Sequence, residues 1–376
     1  MTRVLVVTND FPPRPGGIQT FVYELLRQRD PEKVVVYTSR WKGWEAFDRE
    51  QKFSVIRENT SVLLPTPRVR KRAAELMRSH GCSSVLFGAA APLGLMGPSL
   101  RAVGADRIVA LTHGHEAGWA QLPLARQLLR RIGEGVDTIT YLGEYTRNRI
   151  ASALTPAAAG RMVRLTPGVD TSVFRPDAGG AEVRERYQLH DRPVVVCVSR
   201  LMPRKGQDTL VRLLPDIQRQ VPDAALMLVG GGRYRPKLQR LAEDSHARRD
   251  IIFTGSVPWP DLPAHYAAGD VFAMPCRTRR AGLDVEGLGI VYLEASATGL
   301  PVIAGSSGGA ADAVINGETG FVIEGDSAAS VTARVSELLL DPNLACNLGH
   351  HGRRWVTDDW SWRGQLAVLS GLLESG

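Results

Sequence analysis

The chain has 376 residues, too many for one ordinary domain and enough for about two. With 44% hydrophobic residues it has the apolar surface to bury two cores, which excludes long disorder. Its 46 Lys+Arg against 39 Asp+Glu leave a formal charge of +7. That mild excess suits an anionic partner (a nucleotide, a phospholipid surface or a nucleic acid) without choosing among them.

From the start, MTRVLVVTND holds only a short apolar run before a polar turn, unlike a secretion signal. Short β-branched runs predict strands at Val4–Thr8, Lys33–Thr38, Val85–Phe87, Ile108–Thr112 and Thr138–Tyr141. The residues from Gly81 to Leu100 carry no charge, yet Pro92, Pro98 and four glycines make them a poor membrane helix. A buried strand over Ser84–Phe87 followed by a glycine-rich loop fits better. Thr166–Gly180 is a Pro/Gly-containing polar stretch without periodicity, after which DRPVVVCVSR restarts as a first strand would. A second strand set is predicted at Val194–Ser199, Ala225–Val229, Ile251–Thr254, Val271–Met274, Pro301–Ala304 and Gly320–Ile323. Alternation with amphipathic helices gives an α/β chain of two Rossmann-like domains, residues 1–168 and 169–354, each with a parallel sheet. Ligands of such sheets sit beyond the strand C-termini, so the two sheets are expected to face each other across a cleft that holds the site. Cys82, Cys197, Cys276 and Cys346 lie far apart and form no C-x-x-C pair, which argues against a zinc site or disulfide framework.

Four segments carry candidate chemistry. In NDFPPRPGGIQTF, Gly16 and Gly17 open a helix, where backbone amides approach an anion closely; a plain tight turn accounts for the pair as well. SRLMPRKGQDTL sets Arg200, Arg204 and Lys205 at the edge of the second sheet, well placed to neutralise a diphosphate, although a solvated basic loop is the simpler alternative. Glu286 and Glu294 flank Gly287-Leu288-Gly289; the glycines place Glu286 in a loop and Glu294 inside the following helix. In LTHGHEAGW, His113 and His115 fall just past a strand end, either as site residues or as hydrogen-bonded structural histidines.

Competing motifs are weaker. Gly305-Ser-Ser307-Gly-Gly309 matches G-x-S-x-G, and Asp312 with His350 or His351 completes a hydrolase order, but glycine-rich loops produce this pattern by chance. Gly230-Gly231-Gly232 is no dinucleotide fingerprint, and no P-loop occurs. Nowhere are two aspartates separated by one residue, the arrangement many nucleotide-sugar enzymes use for a divalent metal.

Two Rossmann halves, the GGI loop, R-x-x-x-x-K at Arg200/Lys205 and two glutamates eight apart together resemble the retaining GT-B glycosyltransferases over essentially the full chain. TNDFPPRPGGIQTF and LTHGHEAGW are most similar to the actinobacterial phosphatidylinositol mannosyltransferases, which implies transfer from GDP-mannose to phosphatidyl-myo-inositol monomannoside. By that resemblance residues 1–168 bind the acceptor and residues 169–354 the donor. Residues 355–376 then form helices that cross back to the first domain.

The same resemblance assigns Arg200 and Lys205 to the donor diphosphate, and Glu286 with the amides of Gly287, Leu288 and Gly289 to the donor sugar. Glu294 falls to the ribose and Ser256 and Val257 to the nucleobase through backbone. Gly16 and Gly17 lie against donor phosphate and acceptor. His113 and Glu286 become the catalytic pair, and Gln19 and His115 contact the acceptor. It also implies a retaining, metal-independent reaction without cofactor, in which the leaving phosphate oxygen helps deprotonate the acceptor hydroxyl.

Two basic stretches, PRVRKRAAELMRSHG with an apolar stripe of Val69, Ala73, Leu76 and Met77, and Leu124 to Arg131, are expected to touch an anionic membrane or else to be packed helices with solvated basic faces. A cytoplasmic protein on the inner face of the membrane follows, with no nucleic-acid partner. The alternatives are a GT-B enzyme with another donor or acceptor and, more remotely, a serine hydrolase using Ser307.

Overall fold

A computed structural model describes residues 2–374 of the chain. It divides into two compact units, one formed by Met1–Pro167 with Trp362–Gly376 and the other by Gly168–Ser361. Thirteen strands occur among the described residues. Those of the first unit are β1 (Val4–Thr8), β2 (Val34–Ser39), β3 (Ser54–Glu58), β4 (Ser84–Phe87), β5 (Arg107–Ala110), β6 (Thr138–Tyr141) and β7 (Val163–Arg164). Those of the second are β8 (Val194–Val198), β9 (Ala225–Val229), β10 (Ile251–Gly255), β11 (Val271–Met274), β12 (Val302–Gly305) and β13 (Gly320–Ile323).

The first sheet runs β3-β2-β1-β4-β5-β6-β7 and the second β10-β9-β8-β11-β12-β13, with every pair parallel. Sequence dictates which strands are central. VLVVT of β1, VVVCV of β8 and ALMLV of β9 are buried at every residue, as strands covered by helices on both faces must be. Strand order reverses where β1 meets β4 and where β8 meets β11, and those two switch points are where open α/β sheets bind ligands. β3 and β7 were not anticipated. SVIRE is a half-exposed edge strand without a continuous apolar run, and β7 is two residues long.

The boundary expected at residues 354/355 falls inside a helix, Pro342–Asp359, that belongs to the second unit. The chain changes unit between Ser361 and Trp362. Only the last helix, Trp362–Leu373, joins the first unit, where Leu369 and Leu373 are buried and the Ser84 hydroxyl donates to the Leu373 carbonyl at 2.6 Å. On the second unit, the Val169 N–H donates to the Trp360 carbonyl at 2.8 Å, tying together the two segments that border the other unit in sequence.

The helix Pro67–Ser79 starts at Thr66, whose hydroxyl caps the Val69 N–H at 3.4 Å, with proline at the first helical position. Its stripe of Val69, Ala73, Leu76 and Met77 is buried in the core of the first unit. The expected membrane face is therefore interior, because those side chains cover the sheet. Arg68 and Arg72 on the outer side pair with Glu58 and Glu75. The uncharged stretch from Gly81 resolves into β4, a 3-10 turn at Leu93–Met96 and the short helix Gly97–Arg101. Among the described residues, no helix is long and apolar enough to cross a membrane.

Candidate active site

In the second unit the expected donor residues collect at the β8/β11 switch point. β8 ends at Val198, and Arg200 is exposed immediately beyond it. The loop is pinned to the end of β9 by the Leu201 N–H, which donates to the Gly231 carbonyl at 2.9 Å. That close approach, not a dinucleotide, accounts for the triple glycine: a Cβ at Gly230 would lie 2.1 Å from the Ser199 carbonyl oxygen. A 3-10 turn, Pro203–Lys205, then leads through Gly206 into the helix Gln207–Gln218. Gly206 holds φ +78°, and a Cβ there would meet the Pro275 carbonyl oxygen at 2.0 Å. Only glycine fits this turn, and it sets the Lys205 side chain in a buried position.

Lys205 Nζ lies 2.7 Å from Glu286 Oε2, with both side chains less than a tenth exposed. Arg204 Nε stands 3.8 Å from the same oxygen, and Arg204 Nη1 is 3.3 Å from Asp284 Oδ1. Burial pushes the Glu286 carboxyl up, but Lys205, Arg204 and the Gly287 N–H outweigh it and hold the group below the usual carboxylate range. Glu286 is thus a charged carboxylate next to two cations. Arg200 adds a third positive charge, a guanidinium with no ion pair or hydrogen bond among the described residues, while its backbone carbonyl accepts from the Gln207 amide at 3.1 Å. The cluster Arg200, Arg204, Lys205, Asp284 and Glu286 has a net charge of about +1, suited to an anion only while the acids remain paired.

Glu286 precedes Gly287-Leu288-Gly289 in extended or turn backbone, and the helix Ile290–Ala297 follows, with Glu294 in its second turn. The Tyr266 hydroxyl donates to Glu294 Oε2 at 2.6 Å. Burial nevertheless pushes the Glu294 carboxyl up to about 7, because Tyr266 compensates only part of the desolvation. Ser256 follows β10, with its hydroxyl oxygen 2.4 Å from where a Cβ on Gly231 would be, so the ends of β8, β9 and β10 pack side by side. Val257 is half-buried beside it.

The hydrolase motif has a different role. Ser307 is fully buried and its hydroxyl lies 3.2 Å from that of Thr278. Its backbone is extended, with φ −117° and ψ 118°, unlike a strained nucleophile elbow. His350 lies on the helix Pro342–Asp359, where its Nε2 is 3.9 Å from Cys346 Sγ. The glycines exist to support Glu286: a Cβ on Gly308 would lie 2.2 Å from the Glu286 carbonyl oxygen, which accepts the Gly309 N–H at 2.8 Å.

In the first unit, Gly16 precedes the helix Gly17–Arg27 and its carbonyl accepts the Thr20 N–H at 3.1 Å. Space around the Gly17 Cα is open. Gln19 is buried, and its amide donates to Asp10 Oδ1 at 2.6 Å. Phe21 of the same helix meets the His113 ring edge-on at 5.8 Å, so the Gly16–Gln19 segment and His113 are brought together. His113 Nε2 lies 2.5 Å from the Gly88 carbonyl oxygen, beyond β4. A carbonyl only accepts, so Nε2 carries the proton and Nδ1 is left as an acceptor. Burial holds the His113 pKa below its ordinary value, against the nearby Glu116, which keeps the ring neutral at pH 7.

Glu116 was not singled out in the sequence. It is fully buried, accepts the His113 N–H at 3.0 Å, and lies 3.2 Å from Nε2 of the exposed His115. Asp10, Asp208, Tyr266 and Arg277 were also missed: Asp10, Asp208 and Glu116 lie inside segments read for their glycines, cations and histidines, and Tyr266 and Arg277 lie in no motif. Among the described residues no three His, Cys, Asp or Glu side chains converge as a metal site.

The chain matches two family models, Glycosyltransferase Family 4 over residues 15–173 and Glycosyl transferases group 1 over residues 181–355. It is 53% identical over 378 residues, 98% of each chain, to the GDP-mannose-dependent alpha-(1-6)-phosphatidylinositol monomannoside mannosyltransferase of Mycolicibacterium smegmatis. It is 44% identical over 378 residues, 99% of this chain and 98% of the other, to the Corynebacterium glutamicum enzyme specific in name for the monoacylated acceptor. The crystal structure of Anabaena HepE in complex with UDP matches with a TM-score of 0.83 at 16% identity, covering 99% of each chain, and shows the shared fold.

Proposed function

The chain belongs to the family of GDP-mannose-dependent phosphatidylinositol mannosyltransferases, and from that premise we propose that it moves an α-mannosyl group from GDP-mannose to phosphatidyl-myo-inositol monomannoside. It is a glycosyltransferase of the GT-B fold. The observation that carries the donor half of the reading is the Lys205–Glu286 pair at 2.7 Å on the β8/β11 switch point, beside the unpaired Arg200.

In this reading Arg200 and Lys205 take the donor diphosphate, and Lys205 shares its charge between phosphate and Glu286. Glu286, held ionised, accepts hydroxyl hydrogens of the mannose, helped by the amides of Gly287, Leu288 and Gly289. Glu294 accepts from the ribose. Ser256 and Val257 offer backbone to the guanine. His113, neutral and with Nδ1 free to accept, orients a donor-sugar hydroxyl. Gly16 and Gly17 lie against the donor phosphate and the acceptor, and Gln19 and His115 face the acceptor.

The bond from the anomeric carbon to the diphosphate oxygen breaks, and the acceptor oxygen bonds to that carbon on the same face. The leaving oxygen takes the acceptor proton. Configuration is retained without a glycosyl-enzyme intermediate, and the cations stabilise the departing charge in place of a metal. A thermal shift series tests the donor assignment. Stabilisation by GDP and GDP-mannose but not by UDP-glucose supports it; a response to UDP species alone favours another GT-B donor, and no response to any nucleotide contradicts the reading.

For membrane contact, the helix Pro123–Gly135 supports the reading better than Pro67–Ser79 does. Leu122 and Leu124 at its start are 50% and 78% exposed, next to Arg126, Arg130 and Arg131. Basic charge beside exposed leucines is the combination that docks to an anionic bilayer from the cytoplasmic side. Flotation with anionic vesicles that is lost with neutral ones, and reduced by Leu124→Ser, supports this. Equal behaviour with both vesicle types contradicts it.

A further inference from the structure

The turn that carries Lys205 does not hold itself in place. It is a single 3-10 turn whose internal hydrogen bond runs from the Lys205 N–H to the Met202 carbonyl. Besides the ion pairs of Arg204 and Lys205 with Asp284 and Glu286, it is fastened from the loop after β11 by Arg277. The Arg277 N–H donates to the Arg204 carbonyl at 2.8 Å, fastening the turn from outside. Its guanidinium donates to both carboxylate oxygens of Asp208, at 2.8 and 2.9 Å, and to the Thr209 hydroxyl at 3.1 Å. Asp208 and Thr209 are in the first turn of the helix that leaves Gly206. Arg277 therefore grips the lysine turn on both sides of Gly206, while Gly206 itself lies against the Pro275 carbonyl.

The grip is costly to misplace. The Asp208 side chain is almost wholly buried, and besides Arg277 it is met by Arg212 at 3.0 Å, whose side chain is half exposed, and by the Tyr234 hydroxyl. Nη2 of Arg277 meets both oxygens of Asp208 while Nη1 donates to the Thr209 hydroxyl, so the planar guanidinium is fixed in direction through two nitrogens, which a point charge does not achieve.

We propose that Arg277 and Asp208 are positioning residues for donor binding: a guanidinium clamp on Asp208 and Thr209 that holds the Arg204–Lys205 turn in register with Glu286. This rests on the reading of Lys205 as a diphosphate ligand. Neither residue needs to touch the donor. The clamp acts because Lys205 Nζ must reach both Glu286 and a phosphate, and a shift of about 1 Å at such a site costs on the order of a hundredfold in rate or affinity.

The test is kinetics and GDP calorimetry on the full chain with Arg277→Lys, Arg277→Gln, Asp208→Asn and the double variant Arg277→Gln/Asp208→Asn. Arg277→Gln is expected to raise the donor KM and the GDP Kd about tenfold, with acceptor KM within about twofold, and Arg277→Lys to fall between it and the parent. The double variant is expected to bind no worse than the weaker single, since the two residues act as one unit. Unchanged donor KM and GDP Kd alongside a lowered Tm would overturn the proposal, as would equal rises in donor and acceptor KM. Lys205→Ala separates the premise from the inference. If it leaves GDP affinity intact, the diphosphate reading fails; if it weakens GDP and the Arg277 variants do not, only the clamp fails.

Discussion

Glu294 is the group whose chemistry can be worked furthest from the structure. Its carboxyl is pushed up to about 7 by burial, and the hydrogen bond from Tyr266 does not cancel that. If ribose hydroxyls donate to it, only the carboxylate binds, so donor affinity follows its ionisation. Below the pKa the affinity falls tenfold per pH unit, giving a dissociation constant about tenfold weaker at pH 6 than at pH 8. GDP-mannose is the right probe, because both phosphates are esterified and neither titrates near neutrality. Calorimetry in two buffers of different ionisation enthalpy would also register release of a proton, largest near pH 6.5 and below.

The stability sign follows from the same shift. A carboxyl raised in the folded state favours folding only while protonated, so its contribution is present below about 4.5 and lost as pH rises through about 7. The loss amounts to about 3 kcal/mol. His113, with a lowered pKa, contributes in the opposite direction around and below its ordinary value. The difference between parent and Glu294→Gln removes that overlap. Glu294→Gln is expected to bind the donor more weakly at pH 8, to lose the pH dependence, and to gain relative stability between pH 5 and 7.5. A parent affinity that is flat from pH 6 to 8, or equally steep in the variant, would refute the reasoning.

Three further outcomes follow from the same geometry. Lys205→Met leaves the Glu286 carboxylate buried without its nearest cation, which should destabilise the fold by about 3 kcal/mol. Adding Glu286→Gln should recover part of that loss in urea titrations; no recovery would show that the pair is not coupled. Ser307→Ala removes a buried hydroxyl partner of Thr278, costing about 1 kcal/mol and leaving transfer within about twofold, whereas abolished activity would revive a hydrolytic role. Gly206→Ala puts a Cβ 2.0 Å from the Pro275 carbonyl at φ +78°, so the chain should lose at least about 1–3 kcal/mol and donor KM should rise; a Tm equal to the parent's would contradict the close approach.

The strands that read most clearly from sequence were those buried on both faces. VLVVT, VVVCV and ALMLV are continuous apolar runs because helices cover both sides, and that burial left a mark in composition. β3 and β7 left none, since an edge strand with one wet face and a two-residue strand need little from their side chains. The apolar stripe of Pro67–Ser79 was visible as a stripe, but periodicity reports that a face is buried, not whether protein or membrane buries it. Among site residues, Arg200, Lys205 and Glu286 stood out through spacing within one motif each. Asp208 and Arg277 did not, because they meet across 69 positions, and Glu116 did not although His113 and His115 are beside it, because nothing in the sequence marks its carboxylate as buried. A buried carboxylate looks the same in a sequence as a solvated one. The change of unit at Ser361 was missed by a few residues for a related reason, since the helix Pro342–Asp359 continues unbroken past the expected border.

The most direct test of the central claim is transfer itself. Purified protein is incubated with labelled GDP-mannose and phosphatidyl-myo-inositol monomannoside in detergent, in the presence of a chelator, and the lipid product is characterised by mass and by the anomeric coupling of the new residue. The account predicts a lipid heavier by one hexose, with the α configuration of the donor preserved and no loss of rate on chelation. A β-linked product, transfer only from a UDP sugar, or no lipid product while GDP-mannose still binds would contradict it.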